Sequence, residues 1–88
     1  MVDKTLFMKF TVKKSRIALG KTIRKIRQSK KLTQIDCAEA MGCTQSQWSL
    51  YETGKSSPPF DVIIELLIVL DISLFILLGE FGKMYKTL

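Results

Sequence analysis

Histidine is absent from this 88-residue chain, and cysteine occurs only twice, at Cys37 and Cys43. Two cysteines without an imidazole leave no zinc site of familiar spacing, and no histidine is available as a general base. No carboxylates pair at a spacing useful for acid–base chemistry, no glycine loop has the form that cradles phosphate, and neither cysteine has an evident base. The chain is therefore expected not to be an enzyme, and to need no metal, no cofactor and no evident small-molecule ligand. Both cysteines read as small core residues of a reduced, cytoplasmic protein rather than as a disulfide. The opening Met-Val-Asp-Lys lacks the apolar block of a signal peptide. A long uninterrupted apolar run is missing as well. Val62 to Leu78 spans 17 residues, but it contains Glu65 and Asp71, and Asp71-Ile72-Ser73 reads as a helix restart. A membrane-spanning helix needs about 20 apolar residues, so two buried or interface helices are expected there. With 47% apolar residues, one domain of this length can bury a core and is not expected to be disordered.

Acidic residues are missing from one part of the chain. Lys4 to Ile35 holds eleven Lys or Arg and no acid, whereas Asp36 to Gly82 holds seven acids and one base, Lys55. The net charge of +6 is thus concentrated on one segment, which is the electrostatic footprint of a nucleic-acid binder. A solvated basic helix that only aids solubility would have the same composition.

Thr5 to Lys13 alternates, with Leu6, Met8, Phe10 and Val12 on one side, and period two predicts a strand. No second strand pattern exists to pair with it, so a two-stranded ribbon across a dimer through Phe10 is one expectation. A disordered basic arm and an amino-terminal extension of the first helix are the others. Ser15 can cap that helix, which runs to about Ser29, with Leu19, Ile23 and Ile26 as its buried stripe. Gly20 within it is a small local cost.

The stretch Thr33 to Glu52 holds two short helical patterns that meet at Gly42. Cys37, Ala38 and Met41 share one face of the first, and Thr33 can cap it. Gly42 suits the left-handed conformation that ends a helix. Thr44 can cap the second, in which Trp48 and Tyr51 face inward while Gln45, Ser46, Gln47 and Ser49 face out. The run Thr53 to Pro59 reads as a loop. Phe60, Ile63, Leu66, Leu67 and Leu70 predict a fourth helix, and Ser73 can cap a fifth.

This string resembles the helix-turn-helix of the lambda-repressor-like, Xre-type family of DNA-binding proteins. Ala38 matches its small residue, Gly42 its turn glycine, Trp48 and Tyr51 its apolar recognition-helix positions. Glu52-Thr53-Gly54-Lys55 matches its closing acid, glycine and lysine, and Pro58 its following proline. The match holds register from Ile23 to Leu78, and Leu74, Leu77 and Leu78 fall on family core positions. The resemblance implies an all-α, five-helix domain, an ion pair between Arg27 and Glu52, and binding of double-stranded DNA.

A helix fits the DNA major groove, and a glutamine amide can both donate to and accept from an adenine edge. Gln45 is therefore the first candidate for a base contact, followed by Ser46, Ser49, Leu50 and Gln47. Phosphate contacts are expected from Gln34 at a helix amino end, from Thr44, and from Thr53 and Lys55, which resemble the family's second phosphate clamp. Where family members carry polar residues, this chain has Ile64, Ile68, Phe75 and Ile76, with Phe81 beyond. An apolar patch on so small a domain marks an interface. These residues predict a homodimer, with another protein as the rival occupant. Residues 1–14 are thus expected to form an arm, 15–80 the DNA-binding domain and 81–88 a tail. The expected function is sequence-specific transcriptional regulation, most simply repression at an inverted repeat; the alternative is an antitoxin or partner-dependent regulator.

Overall fold

The computed structural model describes the backbone of residues 4–88 and the side chains from residue 11 onward. Five α-helices run through them: α1 (Lys4–Ser29), α2 (Gln34–Met41), α3 (Gln45–Thr53), α4 (Phe60–Leu70) and α5 (Leu74–Thr87). All regular structure among the described residues is helical, the fold class that the sequence implied.

The alternating segment Thr5 to Lys13 lies inside α1 and is not a strand, and Ser15 stands within the same helix instead of capping it. The reason is the backbone. A single strand leaves its N–H and C=O groups without partners, whereas a helix pairs them within its own segment. Phe10 shares this helix, so the strand ribbon expected through it is not formed; its side chain lies outside the described residues. At the other end α5 continues to Thr87, so the last residues are a continuation of that helix.

The core gathers where α1 crosses the other helices. Ala18, Thr22, Ile23 and Ile26 of α1 are buried, and Leu19 is half-buried against them. They meet Cys37 and Ala38 of α2, Trp48 and Tyr51 of α3, Leu66, Leu67 and Leu70 of α4, and Leu77 of α5. Thr22 satisfies its buried hydroxyl by donating to the Ala18 carbonyl at 2.7 Å, so no polar group is stranded there. Burial pushes the Cys37 thiol up from its ordinary pKa, which suits a core residue more than a nucleophile.

Short helices need their ends satisfied, and local sequence does this. The Thr33 hydroxyl accepts from the Asp36 amide at 3.0 Å, while the Asp36 carboxylate accepts from the Thr33 amide at 2.9 Å. This reciprocal box starts α2 and holds the Asp36 carboxyl below its usual range. Gly42 ends α2 at φ 68°. The Thr44 hydroxyl accepts from the Gln47 amide at 3.1 Å, and Ser73 does the same for Ile76 at 3.1 Å.

Two positions depart from the expected core. Leu74 and Leu78 are exposed, leaving Leu77 as the buried member of the α5 set, and Phe60 at the start of α4 is 67% exposed. The two helices meet at 102°, and Phe60, Leu74 and Leu78 border the cleft that they leave beside α1. Among the described residues, no single helix is long and apolar enough to cross a membrane.

Candidate nucleic-acid interface

The helix-turn-helix is organised on one buried carboxylate. Glu52, in the last turn of α3, is only 5% exposed, and Arg27 of α1 is 8% exposed. Glu52 Oε2 accepts from Arg27 Nε at 2.6 Å, and Oε1 accepts from Arg27 Nη2 at 3.0 Å, a forked pairing. Arg27 Nη1 donates to the Leu32 carbonyl at 2.8 Å, which fixes the turn before α2. The indole N–H of Trp48 also donates to Glu52 Oε2. Burial alone would raise the Glu52 pKa, but hydrogen bonds from Arg27, Gln34 and Trp48, with the Arg27 charge, outweigh it and hold the carboxyl below its ordinary value. The same hydrogen bond, ahead of the opposing burial, raises the Arg27 pKa further.

From this centre a polar chain runs to the surface. Gln34, the first residue of α2, donates from Nε2 to Glu52 Oε1 at 3.0 Å. Its Oε1 faces the Nε2 of Gln45, the first residue of α3, at 3.5 Å, a long and weak contact. The starts of α2 and α3 are therefore side by side, with Gln34 oriented by a carboxylate that Arg27 and Trp48 hold in place and Gln45 in weak contact with it.

The outward face of α3 exposes Gln45, Ser46 and Leu50, with Gln47 and Ser49 half-buried. Trp48 and Tyr51 point into the core on the opposite face. Thr44 is exposed, but its hydroxyl is engaged in the cap of α3. Thr53 and Lys55 are exposed where α3 ends at Gly54, φ 76°. A Cβ on Gly54 would lie 3.0 Å from the Ile17 α-carbon, so the loop backbone rests directly on α1.

Gly20 has a role that helix propensity conceals. A Cβ there would lie 2.4 Å from the Glu52 carbonyl oxygen and 2.5 Å from that of Tyr51. Only a residue without a side chain lets α1 approach the end of α3 this closely, and sequence read one helix at a time does not carry that signal. Of the basic residues, Lys25 pairs with Glu80 at 3.1 Å, Lys30 donates to the Asp71 carbonyl at 3.4 Å, and Lys14 stands 4.3 Å from the centroid of the Tyr85 ring. These three are turned to the α4–α5 side.

Ile64 is 40% exposed, Ile68 68%, Phe75 87% and Ile76 53%. Phe81 is half-buried instead, with its ring 5.9 Å from that of Tyr85.

Known proteins share this arrangement. The helix-turn-helix family profile matches residues 23–77. The uncharacterized HTH-type transcriptional regulator YqaE of Bacillus subtilis (strain 168) is 36% identical over 62 residues, 69% of this chain and 53% of YqaE. The chain thus spans about half the length of the curated relative it matches. The crystal structure of the clp gene regulator ClgR from C. glutamicum superposes with a TM-score of 0.75 at 26% identity, covering 78% of this chain and 90% of that one. The chain belongs to the lambda-repressor-like, Xre-type helix-turn-helix family of DNA-binding transcriptional regulators, whose members act without enzymatic chemistry.

Proposed function

We propose that the chain is a cytoplasmic, sequence-specific repressor that binds an inverted-repeat operator as a homodimer. The observation that carries this reading is the exposed, uncharged start of α3, where Gln45 stands beside Gln34, itself held by the buried Glu52. A glutamine amide there can donate to and accept from an adenine edge in one bidentate contact. Gln45 and Ser46 then read base edges, Ser49 and Gln47 flank them, and Leu50 meets a thymine methyl. Gln34, Thr44, Thr53 and Lys55 contact phosphate and set the register.

Dimerisation through Ile64, Ile68, Phe75 and Ile76 supplies a second recognition helix, roughly 34 Å away, one turn of DNA. Residues 15–80 carry the DNA-binding function in this reading. The test is selection of bound fragments from random duplex DNA, repeated with Gln45→Ala. An enriched inverted repeat, relaxed at defined positions by the variant, supports the proposal; binding without enrichment opposes it.

The exposure of Phe75 and Ile68 also favours a second reading, in which another protein covers this surface, as for an antitoxin. A protein that aggregates when produced alone, and is rescued only by a co-produced partner, supports that reading over the homodimer.

A further inference from the structure

A groove of about 480 Å³ opens between the middle of α1, the start of α4 and the face of α5. Its apolar walls include Leu19, Phe60, Leu77 and Leu78. Phe81 lines it, whereas Ile64, Ile68, Phe75 and Ile76, the dimer contact of the proposed function, do not. Its volume falls within the range of about 300–1,000 Å³ typical of small-molecule sites. Its polar lining is Thr11, Ser15, Arg16 and Ser57, of which Arg16 alone carries a charge. The Arg16 backbone also abuts the Gly54 loop, since a Cβ on Gly54 would lie 3.1 Å from the Arg16 carbonyl carbon. Arg16 is exposed, no acid precedes Asp36 after Asp3, and no ion pair engages it among the described residues. A largely apolar cleft with one charged lining group, a guanidinium outside any ion pair, is complementary to a flexible apolar chain that ends in a single anion.

The geometry points to this groove as a binding site for a free acyl-chain carboxylate, with the tail along α5 and the carboxylate on Arg16. A guanidinium pairs a carboxylate through two parallel hydrogen bonds, and the Ser57 hydroxyl can donate a third. Because Ser57 and Arg16 flank the loop that carries Lys55, occupancy is transmitted to the carboxyl end of α3. The site is a property of the fold and stands whether or not the DNA reading does; only the transmitted effect rests on that reading.

The probe is monomeric decanoate, titrated calorimetrically into the intact protein, with decanol and acetate as tail-only and head-only controls. Saturable one-to-one binding of decanoate is expected, weakened at least about tenfold by Arg16→Gln and removed by Leu78→Trp, which fills the groove from an exposed position. Decanol should bind more weakly than decanoate and be indifferent to Arg16→Gln. Circular dichroism of both variants separates loss of the site from loss of the fold. Absence of saturable decanoate binding, or binding that survives Leu78→Trp, overturns the proposal. So does binding confined to vesicles of anionic phospholipid, which would assign Arg16 to a membrane surface. A change in the affinity for selected DNA on adding decanoate, absent in Arg16→Gln, would show the transmitted effect; its absence with calorimetric binding intact would overturn that effect alone.

Discussion

Removing the Glu52 carboxylate would leave the Arg27 guanidinium buried, with the Leu32 carbonyl as its remaining hydrogen-bond partner among the described residues. An uncompensated buried charge costs about 3–5 kcal/mol, so Glu52→Ala should lower the unfolding free energy by that order in denaturant titration. The pair itself contributes orientation more than net stability, because desolvation offsets much of the attraction. Acid has the same target. The Glu52 pKa is depressed in the folded state, so its contribution is fully present above the ordinary glutamate value of about 4.3 and is lost as pH falls through the folded value. Wild-type stability should therefore fall below about pH 4.3 more steeply than that of Glu52→Gln; parallel curves would show that the carboxylate does not anchor α3. Gly20 makes a complementary case. Gly20→Ala should destabilise by about 1–3 kcal/mol through overpacking, although alanine is the better helix former. Thermal melting checks the sign, and a gain in stability would mean that α1 and α3 are not in close contact.

The starts of α2, α3 and α5 are legible in the sequence, because each has a capping side chain within four residues, whereas Ser15 lies inside α1 and α4 starts after Pro59 without a side-chain cap. Thr33 with Asp36, Thr44 before Gln47, and Ser73 before Ile76 are local patterns with local causes. The inward faces of α2 and α3 follow from spacing for the same reason. Positions decided between helices are not legible. Gly20 reads as a minor cost within α1, whereas the α3 carbonyls lie directly against it. Leu74 and Leu78 read as core, whereas in the fold they border the open groove beside α1. The amino-terminal half of α1 misleads for a third reason. Its side chains alternate as a strand would, but a hydrophobic pattern cannot override a backbone that has no strand to pair with. The link from Gln45 through Gln34 to Glu52 depends on side-chain directions at two adjacent helix starts, which one-dimensional spacing does not encode.

The charge is divided along the sequence, basic before Asp36 and mostly acidic from there to Gly82, and the proposed function uses the basic segment together with the apolar flank of α4 and α5. The basic segment supplies a field that attracts DNA of any sequence, and each Lys or Arg that neutralises a phosphate adds about 0.9 to the salt dependence. Lys55→Met should reduce the slope by about that amount while leaving preference among sequences unchanged. In the proposed function the apolar flank of α4 and α5 is the contact for a second subunit. Phe75→Lys should convert a dimer to a monomer in sedimentation equilibrium, while Phe10→Lys leaves it intact; the reverse result would place the contact on the amino-terminal part of α1. Dimerisation matters because one short recognition helix touches few base pairs, and two in fixed register multiply their discrimination.

The most direct measurement is the ratio of dissociation constants for a selected inverted-repeat duplex and for its scrambled counterpart, at about physiological salt. Direct readout by α3 predicts a ratio of at least about 10³, reduced at the base positions that Gln45 contacts when that residue is alanine. A ratio near one, with both affinities fading together as salt rises, would contradict it and leave only the charge of α1 acting on DNA.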